Sequence, residues 1–98
     1  MRLKTPFLRL ALTNSHMELE LDNVMVFGEV RRGQLYAEIY IGETSYIYER
    51  RRWYVYNGEG KLRHMTDKDR AELRQLAKML STLPHYLVLE KLIKALSY

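Results

Sequence analysis

Apolar and polar residues alternate with a period of two up to about residue 65, and from about residue 67 they recur with the period of a helix. The pattern predicts a sheet followed by helices. Leu8, Leu10 and Leu12 alternate with Arg9 and Ala11, and Met17, Leu19 and Leu21 alternate with Glu18 and Glu20, as in strands that bury one face. Asp22-Asn23 supplies the next turn. Val24, Val26 and Val30 carry the alternation to Arg31-Arg32-Gly33-Gln34, where Gly33 suits the turn. Beyond it Leu35, Ala37, Ile39 and Ile41 face one way, and Tyr36, Glu38 and Tyr40 the other. After Gly42, residues 46–56 are rich in aromatic and β-branched side chains, interrupted by Arg50-Arg51-Arg52 and closed by Asn57-Gly58-Glu59-Gly60. Two strands joined near the arginines are expected there. Every connection is short, which makes the strands antiparallel neighbours in a meander of about five or six.

Thr66 stands before Asp67, Lys68 and Asp69 in the Thr-x-x-Asp form of a capping box, with two acids where the positive end of a helix dipole welcomes them. A helix starts at this point. Leu73, Leu76, Ala77 and Leu80 follow at helical spacing and leave Glu72, Arg74, Gln75 and Lys78 on the wet side. Leu83-Pro84 ends this helix, and Pro84 is suited to the first turn of a second one running to about Leu96. Tyr86, Val88, Leu89, Leu92, Ile93, Ala95 and Leu96 cover about half of that helix, an arc wide enough to touch two surfaces. Leu87, among Glu90, Lys91 and Lys94, fits a core-facing role least well.

The fold class that follows is α+β, an antiparallel meander with two C-terminal helices packed on one face. Its 98 residues, 47% of them apolar, make one domain over 1–98, a sheet part at 1–65 and a helical part at 66–98. So short a chain has little core to spare for a deep internal pocket, which argues against an enzyme built round a large cofactor. The cysteine count is zero, so no disulfide, thiolate nucleophile or cysteine-ligated zinc is available, and a reducing cytoplasm is the expected setting. The first fourteen residues carry Arg2, Lys4 and Arg9 among their apolar positions and read as no signal peptide. No segment approaches the ~20 uninterrupted apolar residues of a membrane span. Sixteen Lys and Arg against twelve Asp and Glu give a net charge of +4, a moderate bias toward polyanions or acidic protein surfaces.

Candidate chemistry centres on Arg50-Arg51-Arg52-Trp53-Tyr54, together with Tyr56. Guanidinium groups neutralise phosphates, exposed aromatic rings stack on bases, and seven of the eleven aromatic residues lie between Tyr36 and Tyr56. Strand geometry puts Tyr54 and Tyr56 on the face of Arg52 and turns Trp53 and Val55 to the other, so the rings cannot form one platform. Sheet packing by the aromatics with a solvated arginine turn, contact with nucleic acid, and contact with an acidic protein all remain open. Asn57-Gly58-Glu59-Gly60-Lys61 lacks both the glycine spacing and the Ser or Thr of a phosphate-binding loop, and reads as a turn. His16, His64 and His85 have no metal-ligand spacing, so neither metal nor cofactor is expected. His64 near Asp67 and Asp69 is the one pairing suited to acid–base work, but a helix start explains those acids better. No serine has the glycine-flanked elbow of a hydrolase nucleophile. A second contact surface is the terminal helix, where Tyr86, Leu87, Val88, Leu92 and Leu96 could meet a partner unless the sheet and first helix exhaust that arc.

In size, basicity, strand-first layout and helical tail over residues 66–98, the chain resembles the small accessory proteins with which lambdoid phages redirect host enzymes, especially the anti-RecBCD class. The resemblance lies in general character and transfers no individual residue. It implies a phage-encoded, catalytically inert protein in the host cytoplasm that binds a host DNA-recombination nuclease and inhibits or modulates it. The expected function is therefore a non-enzymatic protein–protein interaction, with direct nucleic-acid binding through the arginine–aromatic strand as the alternative.

Overall fold

A computed structural model describes residues 9–97; Leu8, read above as a strand position, and the rest of residues 1–8 lie outside it. Seven strands in chain order, β1 (Arg9–Leu12), β2 (His16–Leu21), β3 (Val24–Arg31), β4 (Gln34–Ile41), β5 (Thr44–Glu49), β6 (Arg52–Tyr56) and β7 (Leu62–Arg63), form one sheet in which each pairs antiparallel with the next. Two helices follow, α1 (Asp67–Leu80) and α2 (Leu87–Leu96). The fold is α+β with the expected meander, of seven strands where five or six were anticipated. The extra strand is the two-residue β7. It exists because Asn57 folds the chain back: its side-chain oxygen accepts from the Glu59 and Lys61 amides, and Gly60 supplies a positive φ of 76°.

The period-two pattern sorts the strand residues onto two faces, and the helices cover one of them. Leu19, Val26, Ile39, Tyr46 and Val55 are almost fully buried on the face beneath the helices. Their sequence neighbours Glu18, Glu20, Phe27, Glu38, Ile47 and Tyr54 lie on the other face, which among the described residues carries no helix. The molecule is accordingly only 20 Å across in its thinnest dimension, the thickness of one sheet and one helical layer.

Two small residues set how close α2 comes. Gly28 and Ala37 are cross-strand partners, and a Cβ on Gly28 would sit 3.4 Å from Val88 Cγ2 and 3.1 Å from Met17 Cγ. That shallow place in the sheet seats Val88, and α2 runs over β2, β3 and β4 with α1 against its flank. Sheet and α1 together exhaust the apolar arc of α2, so Val88, Leu92 and Leu96 are core residues and offer nothing to a partner. This corrects the helix-interface reading for those three. Tyr86 is half-buried, and only Leu87 stands out, 41% exposed, as its place among charged neighbours implied.

Pro84 does not enter the second helix, which begins three residues later at Leu87. The reason is tertiary. Tyr86 makes no side-chain cap; Asn14, in the β1–β2 turn, supplies one instead, its Oδ1 accepting from the Leu87 amide (2.8 Å) and its carbonyl from the Val88 amide (3.0 Å).

Candidate functional site

Polar residues converge at three places. The first joins sheet to helix. Thr66 and Asp69 form the expected capping box, but Asp69 is also the one buried charged residue among those described, 4% exposed. Its carboxylate accepts two bonds from Arg63 (2.6 and 3.0 Å), one from the Tyr46 hydroxyl (2.7 Å) and others from the amide and hydroxyl of Thr66 (2.8 and 3.0 Å). The guanidinium of Arg63, foremost, holds this carboxyl well below the usual range; burial first, and then the bond to Asp69, pushes the Tyr46 hydroxyl far up. The bonds from Tyr46 and Arg63 tie α1 to β5 and β7, and those from Thr66 close the cap. His64, by contrast, is exposed and is not a hydrogen-bond partner of Asp69; the group beside the acid is Arg63.

The second convergence lies on the uncovered face. Tyr36 and Tyr40 flank Glu38 on β4, and both hydroxyls donate to its carboxylate at 2.6 Å. Those bonds to Glu38, more than burial, raise each tyrosine to about 12. Cross-strand register places Phe27, Glu38, Ile47 and Tyr54 in one row across β3 to β6, with Met25 (53% exposed) and Tyr40 (37%) in the next row. Glu18, Glu20, Glu29, Glu38 and Glu49 stand among them, against Arg9, Arg31 and Arg52. Arg31 donates to Glu29 at 2.8 Å, which lowers that carboxyl, and His16 meets Glu18 at 2.9 Å. A signal for this surface was present: Met25, Phe27 and Ile47 are apolar residues in the polar phase of the alternation.

The third gathers cations. Successive turns of a meander fall at opposite ends of the sheet, so Arg32-Gly33 and Arg50-Arg51 share one end, while Asp22-Asn23, Gly42-Glu43 and the turn containing Glu59 share the other. Between the two arginine-bearing tips and the last turns of α2 runs an open cleft of about 900 Å³. Arg50, Arg51, Lys91 and Lys94 line it over a floor that includes Leu35, Tyr48 and Trp53, with no acid among the described lining residues. None of the four cations has a carboxylate within salt-bridge distance among the described residues. The Tyr48 and Trp53 rings lie 4.9 Å apart, and Trp53 Nε1 donates to the Ala95 carbonyl (3.1 Å), fixing the floor to α2.

The arginine–aromatic strand therefore divides. Arg52, Tyr54 and Tyr56 share the uncovered face as expected, Arg52 opposite Glu49; Trp53 lies on the helix side; Arg50 and Arg51 occupy the tip. Lys91 and Lys94 were missed as site residues. Their i, i+3 spacing put them on one side of a helix, but only the placement of α2 brings that side to the arginines.

The tip is strained. Arg50 and Arg51 have φ of 52° and 65°, the backbone of a type I′ turn that favours Asn-Gly. We expect Arg50→Asn with Arg51→Gly to raise stability by about 1 kcal/mol in urea unfolding. A loss would show that the arginine side chains themselves hold the hairpin.

Comparison with protein-family models, curated proteins and solved structures finds no match. No helix among the described residues is long and apolar enough to cross a membrane.

Proposed function

We propose that the chain is a non-enzymatic interaction protein that holds another protein against the uncovered face of its sheet. On the resemblance to phage accessory proteins, the partner is a host DNA-processing enzyme of the RecBCD nuclease type, modulated in the host cytoplasm. The observation that carries the reading is the row Phe27, Ile47 and Tyr54, half-buried but uncapped by any described element, beside exposed Met25 and Tyr40. An apolar centre with a charged rim is how protein interfaces are built. Five glutamates against three arginines tilt this face toward a partner surface with basic residues and away from phosphate. The polar cluster at the sheet–helix junction supports the reading in another way: buried Asp69 and Tyr46 and half-buried Arg63 are engaged with one another rather than aimed at open space.

The test is capture from bacterial lysate at moderate salt, followed by degradation of linear duplex DNA by the purified nuclease. Wild-type protein should recover the nuclease and alter its rate; Ile47→Asp with Tyr54→Ala should lose both effects at least tenfold while its circular dichroism still shows the folded sheet and helices, since neither side chain belongs to the core under α1 and α2. Recovery of no specific protein, or equal action by the variant, would count against this function.

A further inference from the structure

We infer that the cleft between the hairpin tips and α2 binds single-stranded nucleic acid, its backbone phosphates on Arg50, Arg51, Lys91 and Lys94 and a base against the Tyr48–Trp53 floor. The site is distinct from the uncovered face and stands whether or not that face holds a protein. Four cations from two elements far apart in sequence converge on one open space, and none is spent on a carboxylate among the described residues. Like charges brought together without a counter-ion repel, so the arrangement gains most when an anion lies among them. Two of them also sit in left-handed backbone at a turn where uncharged residues fit better, an observed strain of the kind that accompanies ligand sites.

The shape and lining select among anions. A volume of about 900 Å³, open to solvent, exceeds what one phosphate fills and suits a strand passing through. Tyr48 and Trp53 line the cleft beneath the cations, and aromatic rings beside phosphate-binding cations are how single strands are held by stacking. A duplex keeps its bases stacked in pairs and has none free to lay on the Tyr48–Trp53 floor. The acids at Asp22, Glu43 and Glu59 crowd the opposite end of the sheet, so the field along the strands directs a polyanion to this end. Part of the negative end of α2 is already met, because Trp53 donates to Ala95.

Trp53 is the single tryptophan of the chain, so its fluorescence reports on this cleft alone. Titration with short oligo-dT should quench it. With about four phosphates contacted, the logarithm of the affinity should fall against that of salt with a slope near ~3, roughly a 50-fold loss between about 50 and about 200 mM. Two double variants, Arg50→Asn with Arg51→Gly and Lys91→Ala with Lys94→Ala, should each weaken binding at least tenfold at low salt and about halve the slope. The first pair removes charge while easing the turn, so its folding is secure. Ile47→Asp should bind oligo-dT like wild type, which separates this site from the proposed protein interface. No quenching at low salt, undiminished binding by both double variants, or tighter binding of duplex than of single strand would overturn the inference. Quenching by polyglutamate but not by oligo-dT would overturn it too, assigning the cleft to an acidic protein segment.

Discussion

Asp69→Ala should destabilise the protein by about 3–5 kcal/mol, a large share of the roughly 5–15 kcal/mol that holds a domain of this size. The substitution removes more than one contact. Arg63 loses both of its bonds to the carboxylate, the Tyr46 hydroxyl is left buried without its acceptor, and the first turn of α1 loses half of its capping box. Melting should drop by on the order of 15 °C. Asp69→Asn, which keeps an acceptor oxygen but not the charge, should fall between. The pH dependence has a definite sign. The folded carboxyl titrates below its unfolded value of about 3.9, so below that pH the unfolded chain binds the proton more readily than the folded one. The stability Asp69 contributes is therefore complete above about pH 4 and fades as pH falls toward the folded value. Urea unfolding of wild type and Asp69→Asn across that range should show their difference shrinking with acid. An Asp69→Ala protein that melts like wild type would mean that this carboxylate is not the link between sheet and helix.

Leu92→Ala should cost about 2–5 kcal/mol, the usual range for deleting a buried leucine and leaving part of its space empty. The side chain is 0% exposed at the centre of α2, within the core formed with Val88, Leu89, Leu96 and the buried strand residues. Cavity cost depends on how far the surroundings can collapse, and the close seat over Gly28 and Ala37 leaves the helix little room to settle further. Leu87→Ala on the same helix, at a position 41% exposed, should cost no more than about 1 kcal/mol. Thermal melting of the two variants tests the packing directly. Equal, small effects would show that α2 is not seated as described and would restore Leu92 to the surface.

These two residues also show how far the chain could be read without coordinates. Thr66 and Asp69 announced a helix start because a cap is local: donor and acceptor are three residues apart, and the first turn alone brings them together. The burial of that same acid was not legible, because it depends on Arg63 from a two-residue strand and Tyr46 from a strand twenty-three residues earlier. Leu92 belonged to an apolar arc wide enough for either a partner or the core. Nothing in helical spacing chooses between those, whereas the small pair Gly28 and Ala37 beneath the helix does.

The candidate sites divide in the same manner. Arg52, Tyr54 and Tyr56 could be assigned to one face by counting in twos, and Trp53 to the other. The cationic cleft could not be found by counting, since Lys91 and Lys94 lie some forty residues from Arg50 and Arg51 and meet them only where α2 ends over the hairpin tips.

By itself, then, the sequence determined the α+β meander, the faces of its strands and the start of α1, because side-chain period, turn residues and caps act over a few positions. Tertiary structure alone decided which face the helices cover, that Asn14 caps α2 from across the fold, and which charges stand together. Those outcomes depend on where whole elements come to rest, and their rest positions follow from volume, twist and close approach between distant residues, quantities that no local pattern encodes.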